Sequence, residues 1–380
     1  MHGTIVLPAR RSARRAVLPI LCMHTPHTTG TALLHTVGKA TAWGLLCLMA
    51  LLCTLWGGMA LWTQVPAPAL LRGGVAGLWG LAWVLLLWQA IQRRQLRWLS
   101  YGGGAWMLAL LAWWSTIQPQ ADLDWADEVA HLVEIAPDSQ QTQIVHLRNV
   151  RNFIWRSDSD YTPLWEARSY NLDALTSVDV GLSYWMGPAI AHTLVSFGFQ
   201  DGQHVVFSIE IRKERHEQFD ALAGFFKQYE MALVAADERD ILAVRTNIRG
   251  EQVHLYRVRM SPPRMRALFL AYAQQASALA QTPSFYHTLT ANCTTIVWEL
   301  ARSIGEALPL NWRLLVSGYL PEYLRDMGGL ASAQPLAALR QAGDITQRAQ
   351  TWQAPPGTDD AAQSADFSRH IRAALPLGDS

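Results

Sequence analysis

Cys293, in the stretch "YHTLTANCTTIVWEL", is the one cysteine after residue 53 of a 380-residue chain, the others being Cys22, Cys47 and Cys53. A thiol attacks a carbonyl carbon as its thiolate, which needs a base and a positive local field. The residues that follow supply the second. Ile296, Val297, Leu300, Ala301 and Ile304 recur at the spacing of one helical face, with Asn292 or Thr294 available as cap and Gly305 as stop. Cys293 is therefore expected at a helix amino terminus, where unsatisfied N–H groups favour a thiolate and can later hold an oxyanion. Backbone N–H groups near Cys293 and Thr294, together with Asn292, are the candidate oxyanion donors. The competing reading is a buried thiol acting as a small hydrophobe.

Eight histidines lie beyond residue 130, so most must be bystanders to any such reaction. His192 is the best placed. It opens "AHTLVSFGF", where apolar and small residues alternate as in a strand; "QDGQ" follows as a turn, and "HVVFSIEIRKE" returns as a second strand. A hairpin centred on that turn sets His192 across from about Glu210, within one residue. Glu210 then either orients the imidazole or faces solvent with Arg212, Lys213 and Glu214. His204 shares the hairpin but sits beside the turn, far from His192 along the strands. The expected catalytic set is Cys293 as nucleophile, His192 as base and Glu210 as orienting carboxylate.

These elements sit after a strongly apolar region. The runs from Ala40, Gly73 and Trp98 are each about twenty residues long with almost no charge, the length that crosses about 30 Å of hydrocarbon. "RRSARR" precedes the first and "QRRQLR" separates the second from the third, whereas the loop between the first two carries one arginine. Positive charge marks the cytoplasmic side, so everything after about Gln118 is expected outside the membrane. The 31 basic residues balance 30 acidic ones, which removes the electrostatic case for nucleic acid as a partner.

"NFIWRSDSDYTPLWEARSYNLDAL", "AHTLVSFGF", "SIEIR", "DERD" and "NCTT" together resemble the Lnb-type N-terminal periplasmic domain family over about residues 150–310. That family is named for a bacterial lipoprotein N-acyltransferase. Its histidine and cysteine motifs are similar to those of permuted papain-like folds of the NlpC and lecithin:retinol acyltransferase types, and His192 and Cys293 match them. Glu210 has no secure counterpart there. The resemblance implies cysteine-dependent acyl transfer or thiol hydrolysis on the outer face of a bacterial inner membrane, with membrane lipids or lipoproteins as substrate and no cofactor. In the acyltransferase, however, the membrane helices follow the catalytic domain, whereas here the apolar runs precede it. An NlpC-type envelope amidase or peptidase and a non-catalytic envelope module are the alternatives.

Arg168, Arg245 and Arg249 stand either as anion-binding pocket residues or as ion-pair partners. Asp237, Glu238, Arg239 and Asp240 read as a salt-bridged helix start rather than a metal cluster, because carboxylates crowd an arginine without a glycine-containing loop. The fold expected is α+β: a basic cytoplasmic segment (1–39), three transmembrane helices (40–117), a connecting segment with a short amphipathic helix (118–147), a periplasmic antiparallel-sheet-plus-helices domain of NlpC-like type (148–347), and a flexible tail (348–380). Strands are expected at "QIVHLRNVRNFIW", "HTLVSFGF", "VVFSIEIR", "ILAVRTN" and "EQVHLYRVRM", and helices at "PPRMRALFLAYAQQASALAQT" and after Cys293. The sequence shows no internal repeat, nucleotide-binding glycine loop or paired-cysteine zinc motif.

Overall fold

The computed structural model describes residues 29–138, 140–305 and 307–376, with Met1 and Gly3 besides; "RRSARR" and Cys22 lie outside the described residues. The chain divides into two compact units, residues 1–56 with 79–108, and residues 57–78 with 109–380.

Helices α1 (Thr29–Gln64) and α2 (Ala69–Arg93) are long and apolar enough to cross a membrane. Their leucines at 45, 48, 51, 55, 78 and 81 are at least half exposed. An exposed apolar surface of that extent calls for a non-aqueous neighbour. The third run is helical too, but a five-residue π turn (Trp98–Gly102) interrupts it and leaves a 14-residue α3 (Gly103–Thr116). The glycines at its start serve packing: a Cβ on Gly103 would lie 2.7 Å from the Trp83 ring.

In the second unit, an eight-stranded sheet has the order β1 (Glu134–Pro137), β2 (Ile144–Arg151), β9 (Glu230–Ala236), β8 (His204–Arg212), β7 (Ala191–Phe199), β6 (Leu175–Tyr184), β10 (Gln252–Arg257), with β5 (Trp165–Asn171) also paired to β2. All pairings are antiparallel except the short β2–β9 ladder. A small ribbon, β3 (Ile154–Trp155) with β4 (Tyr161–Thr162), stands apart. Each sheet face is covered, as apolar residues on both sides of a strand require. One face packs Phe197, Phe207 and Ile209 against α5 (Pro262–Gln281) and α6 (Cys293–Ser303). The other packs Leu194, Val206 and Val234 against α4 (Glu238–Ala243), α9 (Thr346–Thr351) and α10 (Asp360–Ile371). A third cluster joins β6 and β10 to α7 (Leu320–Asp326) and α8 (Leu336–Gly343).

Three local expectations differ from the structure. "ILAVRTN", an aliphatic run that reads as a strand, completes α4 and a π turn (Val244–Ile248), because Asp237 caps the helix by accepting from Arg239 N. The connecting segment holds only one 3-10 turn, Asp127–Val129. It is stitched instead to residues just past β8, through Ala126 N to Lys213 O (3.0 Å) and Arg215 to Asp127 (2.8 Å), and it ends in β1 and the start of β2. The segment expected as a flexible tail carries α10, whose Ser364, Phe367, Ser368 and Ile371 form a buried face at helical spacing. Its Pro- and Asp-rich composition belongs to the short connector before the helix. Arg372 then reaches Glu238 (2.5 Å) and Asp179 (2.9 Å), both fully buried.

Phe367→Ala should destabilise the domain by about 3–5 kcal/mol, the ordinary cost of emptying a buried phenylalanine site. The check is the chemical-denaturation midpoint of the full chain; an unchanged midpoint would mean that α10 is not packed as described.

Candidate active site

Helix α6 begins at Cys293 because Asn292 caps it. Asn292 Oδ1 accepts from Thr294 N and Thr295 N (both 2.9 Å), Thr295 Oγ1 accepts in return from Asn292 N (2.9 Å), and Gly305, at φ +90°, ends the helical segment. Cys293 thereby lies on the first turn, 7 % exposed. The cap bears on the expected oxyanion donors. The Thr294 N–H is taken by Asn292 Oδ1 (2.9 Å), while Asn292 Nδ2 gives one of its two hydrogens to Thr288 O (2.7 Å). The Cys293 N–H has no acceptor among the described hydrogen bonds, and Tyr286 lines the same cavity.

β7 and β8 bring in the histidine. Leu194 stands opposite Ser208, and two further residues along the same register bring His192 level with Glu210. His192 Nε2 lies 2.7 Å from Ser208 Oγ and 3.2 Å from Glu210 Oε1, and Ser208 Oγ donates to that same carboxylate oxygen (2.7 Å). With Nε2 so engaged, Nδ1 is the ring nitrogen left for the thiol, and both residues line one cavity. Glu210 therefore faces His192 and not solvent. His204 is held at the turn by Gly202 O (3.1 Å).

Arg245 completes the row. On the π turn after α4, its Nη2 donates to Glu210 Oε1 (2.9 Å) and its Nη1 lies 3.3 Å from Glu251 Oε2, which accepts in turn from Ser183. Arg168, expected in the pocket, is elsewhere: it pairs with Glu166 and Asp237 (2.7 Å each), away from the cavity lining. The "DERD" residues are likewise structural, with Asp240 on Arg151 (2.8 Å), Glu238 on Arg372 and Arg239 on Asp360.

The charges follow from this geometry. Burial alone would raise the Cys293 pKa, but the His192 charge and hydrogen bond, the Thr193 backbone N–H and Thr294 Oγ1 (3.9 Å) bring it below the usual thiol value. Burial would depress His192, yet Glu210, opposed by Arg245 and helped by Cys293, pushes it up to about 9. Glu210, despite burial, is held well below the ordinary carboxylate range by His192 and Arg245. The imidazole thus stays protonated over neutral pH, and the thiol beside it is shifted toward the thiolate. The pair opens into a cavity of about 570 Å³ bounded in part by Trp185, Met186, Ile190, Phe219, Leu314 and Leu315.

Ser208, Thr193 and Tyr286 were not singled out from sequence. Ser208 shares a strand face with Glu210 two residues on, a signal that was legible. Thr193 is seen only once α6 is docked, through its 2.7 Å bond to Thr294. Burial and the neighbouring Cys293 raise the Tyr286 pKa, so its hydroxyl stays protonated and able to donate.

Residues 161–318 match the Lnb N-terminal periplasmic domain family, a span that holds every member of the row from His192 to Cys293. No curated protein and no solved structure matches the chain. A periplasmic domain of this family joined to two membrane-length apolar helices fits a membrane-associated protein with a periplasmic domain.

Glu210→Gln removes the charge that holds His192 protonated, so the Cys293 pKa must rise and the thiolate fraction at pH 6 must fall. Alkylation of Cys293 by iodoacetamide at pH 6 should slow about tenfold, one unit of pKa, and recover toward pH 9. An unchanged rate at pH 6 would show that Glu210 does not set the pair's charge.

Proposed function

We propose that the chain is a membrane-anchored, periplasmic cysteine acyl-transfer enzyme acting on a lipid or lipoprotein-like acyl substrate. The observation that carries this reading is that Cys293 and His192 line one cavity, with the imidazole 3.2 Å from a largely enclosed Glu210 carboxylate that is itself paired with Arg245. A merely structural cysteine has no use for that charge arrangement.

Cys293 Sγ attacks the ester or amide carbonyl carbon, and the carbonyl π electrons move to oxygen. The Cys293 N–H and the Tyr286 hydroxyl are the donors we assign to the oxyanion, Tyr286 lining the same cavity as Cys293. His192 gives its proton to the leaving alcohol or amine, which departs and leaves an acyl thioester on Cys293. An incoming amine or water then loses a proton to His192 and takes the acyl group. Glu210 keeps the imidazole oriented throughout, and no metal is required at any step. The apolar side chains around the cavity suit an acyl chain, and α1 and α2 keep the enzyme at a membrane. In this reading the helical run of residues 96–116 is the third span, which carries the chain to the outer face and makes the protein multi-pass in the inner membrane.

The full chain in non-ionic detergent, incubated with a short-chain p-nitrophenyl ester, should gain one acyl mass on Cys293 that neutral hydroxylamine removes. His192→Ala should slow acylation about 10²-fold or more, and Cys293→Ala should abolish it. Mass spectrometry and p-nitrophenol release read both steps. A parent protein that takes up no acyl group, or a His192→Ala variant that acylates at the parent rate, would sink the proposal.

A further inference from the structure

Besides His192, four cations line the cavity, and three of them have carboxylate partners. Arg151 Nε pairs with Asp240 (2.8 Å), Lys213 with Glu128 (3.0 Å) and Arg245 with Glu210 and Glu251. The Arg249 side chain has no hydrogen-bond or ion-pair partner among the described residues. Local structure puts it there: Arg249 follows the π turn Val244–Ile248, with Arg249 N donating to Val244 O (2.9 Å), and Arg245 and Arg249, four residues apart, both line the cavity.

Arg249 is solvent-exposed where it lines the cavity, so its guanidinium is open to a ligand. The surrounding protein and the neighbouring Arg245 both pull the Arg249 pKa below its ordinary value, while Glu210 and Glu251, the anions that oppose them, are already claimed by Arg245. The lining holds one other charge without an ion-pair partner among the described residues, Asp158. It sits in the turn between β3 and β4 and is not among the charges acting on Arg249. A guanidinium left free in a cavity beside a nucleophile presents a planar fork that matches a carboxylate or phosphate, and an anion there would offset its repulsion from Arg245.

We propose that Arg249 is a specificity residue that docks a phosphate or carboxylate group of the ligand in this cavity, so that the preferred acyl substrate is an anionic amphiphile. This rests on the cavity being the substrate site of the acyl-transfer reading. The catalytic row keeps its own counter-charges, and Arg249 serves recognition alone.

The test is binding, which does not depend on the chemistry. The full chain carrying Cys293→Ala, in non-ionic detergent, is titrated calorimetrically with dodecyl phosphate, dodecanoate, uncharged 1-dodecanoylglycerol and inorganic phosphate. Both anionic amphiphiles should bind at least about tenfold more tightly than 1-dodecanoylglycerol, and Arg249→Gln should erase that preference while leaving 1-dodecanoylglycerol unchanged. Arg249 has no side-chain partner in the described residues to lose, and an unaltered melting temperature confirms that the variant is folded. Inorganic phosphate binding as tightly as dodecyl phosphate would support the anion site and assign it to a free anion rather than a lipid head group. Equal affinity of the parent for charged and uncharged amphiphiles, or a preference that survives Arg249→Gln, overturns the proposal. Loss of acylation in the preceding experiment with anion selectivity intact here would instead remove the enzyme and keep the binding site.

Discussion

A carboxylate enclosed in protein holds the site together. Glu210 accepts from His192, Ser208 and Arg245 through one oxygen, which is why it stays ionised although burial opposes its charge. Everything on either side follows from that charge. Toward the cavity, it keeps His192 cationic and turns one ring nitrogen to the thiol, which is stabilised as a thiolate in turn. On its other side it meets Arg245, which meets Glu251, which Ser183 holds. The row from Cys293 to Glu251 therefore alternates in sign, and removing any interior member strands a charge on its neighbour, a cost of about 3–5 kcal/mol for buried pairs.

The same logic fixes the scaffold behind the row. Arg245 is carried by the π turn after α4, and α4 is pinned at its start. Asp237 caps it, Asp240 takes bonds from Arg151, Trp155 Nε1 and Phe153 N, and Glu238 meets Arg372. Arg372 also shares Asp179 with Arg257, so β6 and the end of α10 are joined through one buried carboxylate. Single substitutions in this second network reach the site by shifting the turn that presents Arg245, without touching Cys293 or His192. The apolar layers supply most of the stabilisation. The buried ions decide where α4 and α10 sit on the sheet.

The parts of the site that were legible from sequence are those set by local rules. The cap before Cys293, the helix after it and the hairpin that sets His192 level with Glu210 each depend on a few adjacent residues, and the hairpin register came out within its one-residue tolerance. Among the expected oxyanion donors only the Thr294 N–H is consumed, by the same cap that makes Asn292 recognisable. Arg168 could not be separated from Arg245 by sequence, since each is an arginine near acidic residues and only tertiary pairing distinguishes them. "ILAVRTN" failed for a different reason: a short aliphatic run fits a buried helix and a buried strand equally well, and the Asp237 cap decides between them. Strands β6 and β9 escaped for want of periodic contrast, being buried along nearly their whole length.

A cysteine shifted toward its thiolate, in a domain that matches a periplasmic family, has to be guarded as well as activated, and the fold does both with one arrangement. No second cysteine lies in the domain beyond the apolar helices, so an intramolecular disulfide has no partner there. At 7 % exposure Cys293 meets only molecules small or extended enough to enter the cavity, which excludes exchange with the disulfides of folded proteins. Yet burial by itself would leave the sulfur protonated and inert. Bringing one imidazolium to it, held charged by Glu210, restores the thiolate at the single point that the cavity reaches. Protection and reactivity therefore have a common origin in the burial of the site, and the charge row from Glu251 to His192 is what makes the two compatible.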